Sequence, residues 1–341
     1  MLSIVTTVPA DIPALWEQLA DDVPPGMRIL DRRTMSISQL IRRVLEADGK
    51  VDVLLLNGSG RADQLAAALL WRRRSRTAIV ISDCTWKLGS SKLDGRANRL
   101  GLRAIDSARV RYCVLSTAEV DQFPRTWRVD GDRVVFTPFC YTLTQAELAG
   151  DAASDGSVFA GGDSMRDYGP LLDAAARLHA RVAVATRAID PSATALPPNV
   201  EVGPAPPERF AELMRRAAVV VVPLKPGIER SAGQQTYLSA MALGKIVIAT
   251  DSPGVRDYIE SETTGLVIPP GDADALERAL SWALDPANGD EVEAMRVRAR
   301  ETARSRFTPM RHLEALIEVA TAAVRDGGRT RPSAPHMDVP R

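Results

Sequence analysis

The sequence feature that most constrains the fold is the stretch 219–272, in which apolar runs and loops alternate in a fixed order. It opens with four consecutive valines, Val219–Val222, and an apolar run without polar alternation is typical of a parallel strand that is buried on both faces. Apolar residues at helical spacing follow at 237–242, and a second continuous apolar run lies at 246–249. The order strand, loop, helix, strand predicts a βαβ unit of a parallel sheet.

The loop between the first strand and the helix, residues 223–233, is a candidate ligand site. It follows the carboxyl end of a parallel strand and precedes a helix N-terminus, where free backbone N–H groups and the positive end of the helix dipole favour phosphate. Ser231 and Gln234 have the spacing of a capping box, which predicts that the helix begins just after Ser231. A loop with a purely structural role is the alternative.

The first part of the chain repeats this alternation. Five apolar runs are predicted strands, at 2–6, 51–56, 78–82, 111–116 and 133–137. Helical patterns lie between them, so the sequence predicts an α/β fold with a Rossmann-like doubly wound sheet. The small and polar residues of 141–157 indicate a linker that leads to a second domain.

Composition argues against several classes of function. The chain of 341 residues has 43 basic and 43 acidic side chains, so a general affinity for nucleic acid is not expected. No apolar run approaches the roughly eighteen residues of a membrane-spanning helix, and the N-terminus does not have the pattern of a signal peptide. The three cysteines, Cys84, Cys113 and Cys140, lack metal-ligand spacing and fit the reduced thiols of a cytoplasmic protein.

The strings AMALGK (240–245) and TGLVIPPGD (264–272), with Gly254 between them, resemble the donor-binding half of GT-B glycosyltransferases, in particular family 4, the glycosyl transferases group 1. The resemblance implies two Rossmann-like domains that face a central cleft. Residues 1–150 would form the acceptor-side domain and residues 151–308 the nucleotide-sugar donor domain. A helix at 309–326 would cross back onto the first domain, and 327–341 would be a disordered tail.

The sequence departs from the family where the donor sugar is expected. Family members usually carry two glutamates, and here Ser231 and Ser239 occupy their positions. Glu229 is then the candidate for one missing carboxylate. The residues Gly233, Gln234, Gln235 and Thr236 resemble a branch of the family with a Gly-Gln-x-Thr loop. The resemblance assigns this loop, together with Ser231 and Ser239, to donor binding.

Further donor-binding residues are predicted in other loops. Gly161 and Gly162 allow the backbone to approach a ligand closely, and Arg166 carries a forked cation suited to diphosphate. The resemblance places the nucleotide base over Gly203 and adds Lys225 to the diphosphate contacts. An ion pair between Arg166 and a neighbouring aspartate on the surface is the alternative for that side chain.

Asp83 is the candidate catalytic residue of the first domain. It follows the predicted strand 78–82, and a carboxylate in that position can contact sugar hydroxyls, while the ring of Trp86 can pack against a sugar. A role of Asp83 as a helix N-cap is the alternative. All three histidines, His179, His312 and His336, follow residue 150. This order predicts that the first domain contains no histidine base.

The resulting hypothesis is the transfer of a glycosyl group from a nucleotide-diphosphate sugar to an acceptor hydroxyl, with retention of configuration and without a required metal ion or other cofactor. The acceptor is a small molecule, a glycan or a lipid-linked sugar. Two alternatives are a sugar-nucleotide epimerase on the same scaffold and a non-catalytic relative that binds a nucleotide or a protein partner.

The basic run 71–76 has two interpretations. It is either a solvated helix end or a contact with an anionic membrane surface. The second interpretation would place the protein peripherally at the inner face of the membrane.

Overall fold

The computed structural model describes residues 1–58, 61–72, 75–86, 92–103, 105–149 and 154–327. It divides into two compact units, of which the first comprises Met1–Pro138 together with the C-terminal segment that begins at His312, and the second is Phe139–Arg311. Parts of three predicted features lie outside the described residues: Arg73 and Arg74 of the basic run, residues 150–153 of the predicted linker, and the tail 328–341.

The first unit is built on a sheet of parallel strands. These are β1 (Ile4–Thr6), β2 (Met27–Ile29), β3 (Val53–Asn57), β4 (Ala78–Ser82), β5 (Val110–Val114) and β6 (Val134–Phe136). They pair in the order β2-β1-β3-β4-β5-β6. Every residue of β3, β4 and β5 is buried, which is why these strands are mostly apolar in sequence.

Five helices connect these strands. They are α1 (Pro13–Asp21), α2 (Ile37–Ala47), α3 (Arg61–Arg72), α4 (Lys92–Arg103) and α5 (Thr117–Trp127). The start of α2 is fixed by a capping box, in which the Gln39 N–H donates to Ser36 Oγ (3.3 Å) and the Ser36 N–H donates to Gln39 Oε1 (2.8 Å). Their inner faces and the sheet form one apolar core with Leu54, Leu70 and Tyr112 at its centre.

The second unit contains a second sheet of parallel strands. Its strands are β7 (Val158–Gly161), β8 (Val182–Ala185), β9 (Val200–Gly203), β10 (Val219–Val222), β11 (Ile246–Thr250) and β12 (Leu266–Ile268). They pair in the order β12-β11-β10-β7-β8-β9. The predicted βαβ unit is confirmed, because β10 and β11 pair in parallel register from Val219–Ile246 to Val222–Ala249.

Six helices belong to this unit. They are α6 (Gln145–Ala149), α7 (Gly169–Ala175), α8 (Pro207–Arg216), α9 (Gln234–Ala242), α10 (Ala273–Leu284) and α11 (Gly289–Arg306). The last seven residues of α9 have the sequence TYLSAMA, and all of them are buried. A helix enclosed on all sides in this way is held firmly at its N-terminus, where the predicted ligand site lies.

In each sheet the order of the strands reverses once along the chain. The reversal lies between β1 and β3 in the first sheet and between β7 and β10 in the second. Connections on either side of such a point leave in opposite directions, and ligands of open parallel sheets bind there, outside the carboxyl ends of the strands. The predicted α/β class with two Rossmann-like sheets is confirmed. Ligands are therefore expected at these two sheet edges.

The last helix, α12 (Pro309–Arg325), returns the chain to the first unit from His312 onward. Near its start, His312 Nδ1 lies 2.7 Å from the Pro138 carbonyl oxygen. After its end, the Asp326 carboxylate lies 3.6 Å from Nη2 of Arg111, a buried residue of β5. Within the described residues, no helix combines the length and the apolar character needed to cross a membrane.

The division between the units falls at Pro138 and Phe139, earlier in the chain than the predicted boundary at residue 150. Tyr141 is buried in the second unit, and its N–H donates to the Phe307 carbonyl (3.1 Å). The segment expected to be a linker also contains α6. Polar composition alone did not separate a short surface helix from a linker at this point.

Candidate functional site

Two loops at the carboxyl edge of the second sheet are joined by backbone hydrogen bonds. They follow β7 and β10, the strands between which the order reverses. The Lys225 N–H donates to the Met165 carbonyl (3.0 Å), and the Asp167 N–H donates to the Pro223 carbonyl (3.0 Å). Met165 has a φ of 57°, a conformation that costs a residue with a side chain roughly 1–2 kcal/mol. The pairing holds both loops at one place on the edge.

Arg166 connects these loops to helix α9. Its Nε donates to the Gly161 carbonyl (3.1 Å), Nη1 to the Ser164 carbonyl (2.9 Å) and Nη2 to Thr236 Oγ1 (3.2 Å). The residue is only 8% exposed, and burial lowers the pKa of its guanidinium from the ordinary value because the charged form loses hydration.

Arg166 has no acidic partner among the residues that the structure describes. None of the carboxylates in the described part of the chain forms an ion pair with it, so the alternative of a surface ion pair with a neighbouring aspartate is wrong. Asp163 instead accepts hydrogen bonds from Thr186 and Arg187. A guanidinium has five N–H donors, and the hydrogen bonds above use three of them. Arg166 can therefore still donate to a bound anion.

Helix α9 begins at Gln234, and its N-cap is Gly233 rather than Ser231. Gly233 has a φ of 89°, and a Cβ at this position would lie 2.8 Å from Val222 Cγ1. The predicted capping box is therefore wrong: Ser231 is fully buried, and no side chain caps the helix. The N-terminus of α9 consequently presents backbone N–H groups at the sheet edge.

Gln234 adds a side-chain donor at this helix terminus. It is 5% exposed, and its Nε2 has no hydrogen-bond partner among the described residues. A buried polar group without a partner costs roughly 1–3 kcal/mol. A polar ligand at the terminus would remove that cost.

The loop 223–233 carries the charged residues of the site. Lys225 and Glu229 are exposed, whereas Arg230 donates from Nη2 to Ser164 Oγ (3.1 Å) and from Nη1 to the Ser231 carbonyl (3.3 Å). Arg230 thus brings a second guanidinium to the residue whose carbonyl binds Arg166. Sequence reasoning missed Arg230, and its position in the ligand-facing loop beside Glu229 was the one signal available.

The predicted glycines lie at the ends of β7 and β9. A Cβ on Gly161 would collide with the ring of Phe210. Gly162 has a φ of 105°, and its carbonyl accepts a hydrogen bond from the hydroxyl of Tyr168 (2.6 Å), whose pKa burial raises to about 12. Gly203 accepts from the Thr186 N–H (3.0 Å), and the space beside its Cα is open.

Two other predicted donor-binding residues contact Thr142. Gln235 Nε2 donates to Thr142 Oγ1 (3.1 Å), and Ser239 Oγ accepts from the Thr142 N–H (3.4 Å). Ser239 is buried, while Gln235 is exposed. Gln235 and Ser239 lie one helical turn apart on α9, and both hold the segment that leads into α6.

The predicted residues of the first unit lie in different surroundings. Asp83 follows β4 with a φ of 51° and is 9% exposed. Trp86 is not available to pack against a sugar, because its Nε1 donates to the Gly58 carbonyl (2.6 Å) and its ring contacts Tyr112, Phe123 and Trp127. It belongs to the apolar core of the unit.

Residues 1–150 contain no histidine, but the C-terminal segment brings one into the first unit. His312 follows residue 150 in sequence, but α12 returns it to the first unit. Its Nε2 lies 3.5 Å from Asp83 Oδ1, and its side chain is fully buried. Within the described residues, no group of three or more histidine, cysteine, aspartate or glutamate side chains is arranged to hold a metal ion.

Part of the second unit matches a known protein family. Residues 168–285 match the family model described as Glycosyl transferases group 1. This segment is similar to the glycosyl transferases of group 1. It contains the loop 223–233 and all of α9, and it confirms the predicted enzyme class. No curated protein sequence matches the chain significantly.

Solved structures share the fold of the whole chain. A glycosyltransferase from Rickettsia africae ESF-5 superposes with a TM-score of 0.64 at 13% identity, over 95% of this chain and 99% of that one. HepE from Anabaena in complex with UDP-glucose gives a TM-score of 0.67 at 13% identity, over 94% and 100%. Sucrose-phosphate synthase from Thermosynechococcus elongatus gives 0.63 at 17% identity, over 95% and 99%. At such identities the similarity establishes the GT-B fold.

Proposed function

We propose that the protein transfers a glycosyl group from a nucleotide-diphosphate sugar to an acceptor hydroxyl, with retention of configuration and without a required metal ion. The observation that carries this proposal is the pairing of loops 162–168 and 223–233, where Arg166, Arg230 and the N-terminus of α9 come together. HepE, which has the same fold, was solved with UDP-glucose, and this supports a nucleotide-sugar donor here. We include membership of family 4 and donor contact by the Gly-Gln-x-Thr loop at 233–236 in the proposal.

The site is suited to the charge of a leaving diphosphate. Arg166 is buried, so its charge acts in a medium of lower dielectric constant than water. The dipole of α9 and the exposed Lys225 add positive potential. Fixed charges of this kind stabilise the negative charge that develops on the diphosphate as the glycosyl bond breaks. This electrostatic role is the one that a metal ion would otherwise fill.

The remaining donor residues have distinct roles in the proposal. The backbone of Gly161 and Gly162 permits close approach of the diphosphate, and the open space beside Gly203 accepts the nucleotide base. Gln234 donates to the donor through its unpartnered amide. Gln235 and Ser239 act indirectly, by holding Thr142.

Glu229 is proposed to replace one of the absent glutamates by accepting hydrogen bonds from the donor sugar. Its exposed position in the loop 223–233 leaves the carboxylate free to reach a bound ligand. Substitution Glu229→Gln should reduce kcat several-fold with little change in donor Kd, because the amide keeps the shape and loses the charge. Unchanged kcat in steady-state assays would remove Glu229 from the site.

Peripheral membrane contact is the proposed role of the exposed face of α2 and α3. Ile37, Leu65 and Leu69 are 61%, 54% and 40% exposed, and α2 also carries Arg42 and Arg43, both of which pair with Glu46. Apolar side chains flanked by arginines bind anionic lipid surfaces. Sedimentation with phosphatidylserine vesicles should capture the protein, and a Leu65→Asp, Leu69→Asp variant should stay in solution. Equal capture of both forms would exclude this face.

The reaction itself is tested by donor turnover. Purified protein is incubated with sugar conjugates of UDP, GDP, ADP and dTDP and a panel of acceptors: free sugars, glycans and lipid-linked sugars. Release of one nucleoside diphosphate that depends on an acceptor, with the product in the anomeric configuration of the donor by NMR and unaffected by EDTA, is the expected result. Nucleotide binding without turnover would identify a non-catalytic relative instead.

A further inference from the structure

His312 lies in a position for which neither glycosyl transfer nor the family match provides a role. It is the first residue of the C-terminal segment to rejoin the first unit. Its fully buried imidazole is placed on α12 beside the apolar side chains of Leu313 and Leu316. A polar ring on an apolar face needs polar partners, and these include the Pro138 carbonyl and the Asp83 carboxylate.

The Pro138 contact fixes the proton on one ring nitrogen. A carbonyl oxygen can only accept a hydrogen bond, so Nδ1, which lies 2.7 Å from it, must carry the N–H. The other nitrogen, Nε2, lies 3.5 Å from Asp83 Oδ1, within the range of an ion pair. A bare Nε2 and an ionised carboxylate would repel each other at this distance. The contact is favourable when a proton lies between them, as in an imidazolium–carboxylate pair.

Asp83 itself is held in an unusual conformation. Its backbone φ of 51° places a residue with a side chain in the left-handed region, and such residues persist where the surrounding structure determines them and are concentrated at functional sites. The Asp83 side chain is 12% exposed, while that of His312 is fully enclosed. Asp83 is thus the more exposed side chain of the two.

We propose that His312 is a positioning residue for the Asp83 carboxylate, which it holds in place and supplies with positive charge so that Asp83 can accept a hydrogen bond from a sugar or acceptor hydroxyl. This inference rests on the proposed glycosyl transfer for its role in turnover, but the pairing of the two side chains is independent of it. His312 follows the second unit in the sequence, yet it contacts Asp83, the candidate catalytic carboxylate of the first unit.

The other titratable groups near Asp83 are acidic or are thiols. Cys84 follows it directly, Cys113 lies on the neighbouring strand β5, and Glu119 lies on α5. The negative charge of Asp83 contributes to the raised pKa of both cysteine thiols, after the larger effect of burial. His312 approaches the carboxylate from α12. Under the proposal the imidazole supplies positive charge to Asp83, so its removal should favour the protonated form of Asp83.

The test uses two substitutions of His312, each of which retains one of the two contacts of the imidazole. In His312→Asn the side-chain amide lies near the position of Nδ1 and can donate to Pro138, but nothing reaches Asp83. In His312→Gln the amide reaches toward Asp83 as a donor, but it cannot carry a charge. His179→Asn is the matched control, because His179 is exposed in the second unit. Initial rates with saturating donor are measured for each protein as a function of pH.

We expect the acidic limb of the pH–rate profile to move to higher pH in His312→Asn, with a loss of rate of about tenfold on the acidic side. His312→Gln should show a smaller movement, and His179→Asn none. A His312→Asn protein with a lowered melting temperature and an unchanged profile would show that His312 only docks α12, and it would overturn the proposal.

A second readout does not require activity or the stability of the histidine variants. The imidazole proton resonances of His179, His312 and His336 are recorded by NMR in the wild-type protein and in Asp83→Asn. The His312 resonance should change between them and the other two should not. An unchanged His312 resonance would overturn the pairing. If the wild-type protein shows no glycosyl transfer but the resonance changes, the proposed function fails and the pairing stands.

Discussion

The carboxyl edges of the two sheets have the same topology and opposite chemistry. Each lies where the order of six parallel strands reverses. The edge of the second sheet carries guanidinium groups, those of Arg166 and Arg230, and the N-terminus of a buried helix. The edge of the first sheet carries carboxylates, those of Asp63 and Asp83. The same scaffold can thus present a cationic edge or an acidic one, and only side chains decide which.

The buried carboxylates of the first edge are held by neighbouring polar groups. Asp63 accepts a hydrogen bond from the Thr7 hydroxyl and lies 3.6 Å from Arg32, and burial raises its pKa above the ordinary value. Asp83 faces His312. Carboxylates suit the hydroxyls of a sugar or an acceptor, whereas the cations of the second edge suit phosphate. The comparison therefore supports the proposed placement of the donor diphosphate in the second unit.

The largest effect is expected at the acidic edge. Asp83→Asn should lower kcat about a hundredfold or more, because the amide cannot replace a charged hydrogen-bond acceptor in the transition state. Nucleotide affinity should stay unchanged, since the diphosphate is assigned to the other unit. Steady-state kinetics and calorimetric titration measure the two quantities. Asp132→Asn, at an exposed position, is the control, and weakened nucleotide binding in Asp83→Asn would break the division between the edges.

Removal of the buried cation at the second edge should act in the opposite way. Arg166→Ala is expected to weaken nucleoside-diphosphate binding by about 1.5–3 kcal/mol, the scale of a charge-assisted hydrogen bond. Arg166→Lys, which keeps the charge and loses the fork, should lose less. Arg177→Ala removes an exposed guanidinium that follows the end of α7, and this variant should bind normally. Equal affinity of all four proteins in calorimetry would place the phosphate elsewhere.

A pair of glycine substitutions separates packing from binding at the second edge. Gly161→Ala should destabilise the protein by about 1–3 kcal/mol, because its Cβ would collide with Phe210. Gly203→Ala has open space around its Cβ and should leave the free energy of unfolding nearly unchanged. Chemical denaturation measures both. A stable Gly161→Ala protein would mean that the loop after β7 adapts more readily than its contacts indicate.

The smallest effect concerns a charge away from both edges. Lys245 precedes β11 and is buried, and burial lowers its pKa from 10.5 to about 8. Between these values the unfolded chain binds more protons than the folded chain, so the stability should rise as pH increases from about 8 to 10. Thermal unfolding of the wild-type protein and Lys245→Met measures this contribution as a difference. Parallel curves for the two proteins would show that Lys245 does not titrate in this range.

Strands that are fully buried could be predicted from the local sequence pattern. The runs at 51–56, 78–82 and 219–222 were recognised because burial on both faces makes them mostly apolar. Strand β2 was missed because it has three residues, all partly or fully exposed, with Arg28 at its centre. Its strand character comes from pairing with β1, which no local pattern contains.

The site was predictable in part for a similar reason. A strand followed by a loop and a helix identifies a ligand-facing edge, so Arg166, Gly233 and Gln234 could be selected from sequence. The cap of α9 was assigned wrongly because spacing favoured Ser231, whereas the positive φ of Gly233 ended the loop. His312 could not be connected with Asp83, because the contact spans more than two hundred residues and depends on the return of α12.

The most direct test of a donor site at the cationic edge is a thermal-shift titration with UDP, GDP, ADP and dTDP. A ligand that binds only the folded protein raises the melting temperature by an amount set by its concentration relative to Kd. One of these nucleotides should stabilise the wild-type protein and Asp83→Asn equally and should fail to stabilise Arg166→Ala. The absence of any shift in the wild-type protein, or a full shift in Arg166→Ala, would contradict the assignment of the donor to this edge.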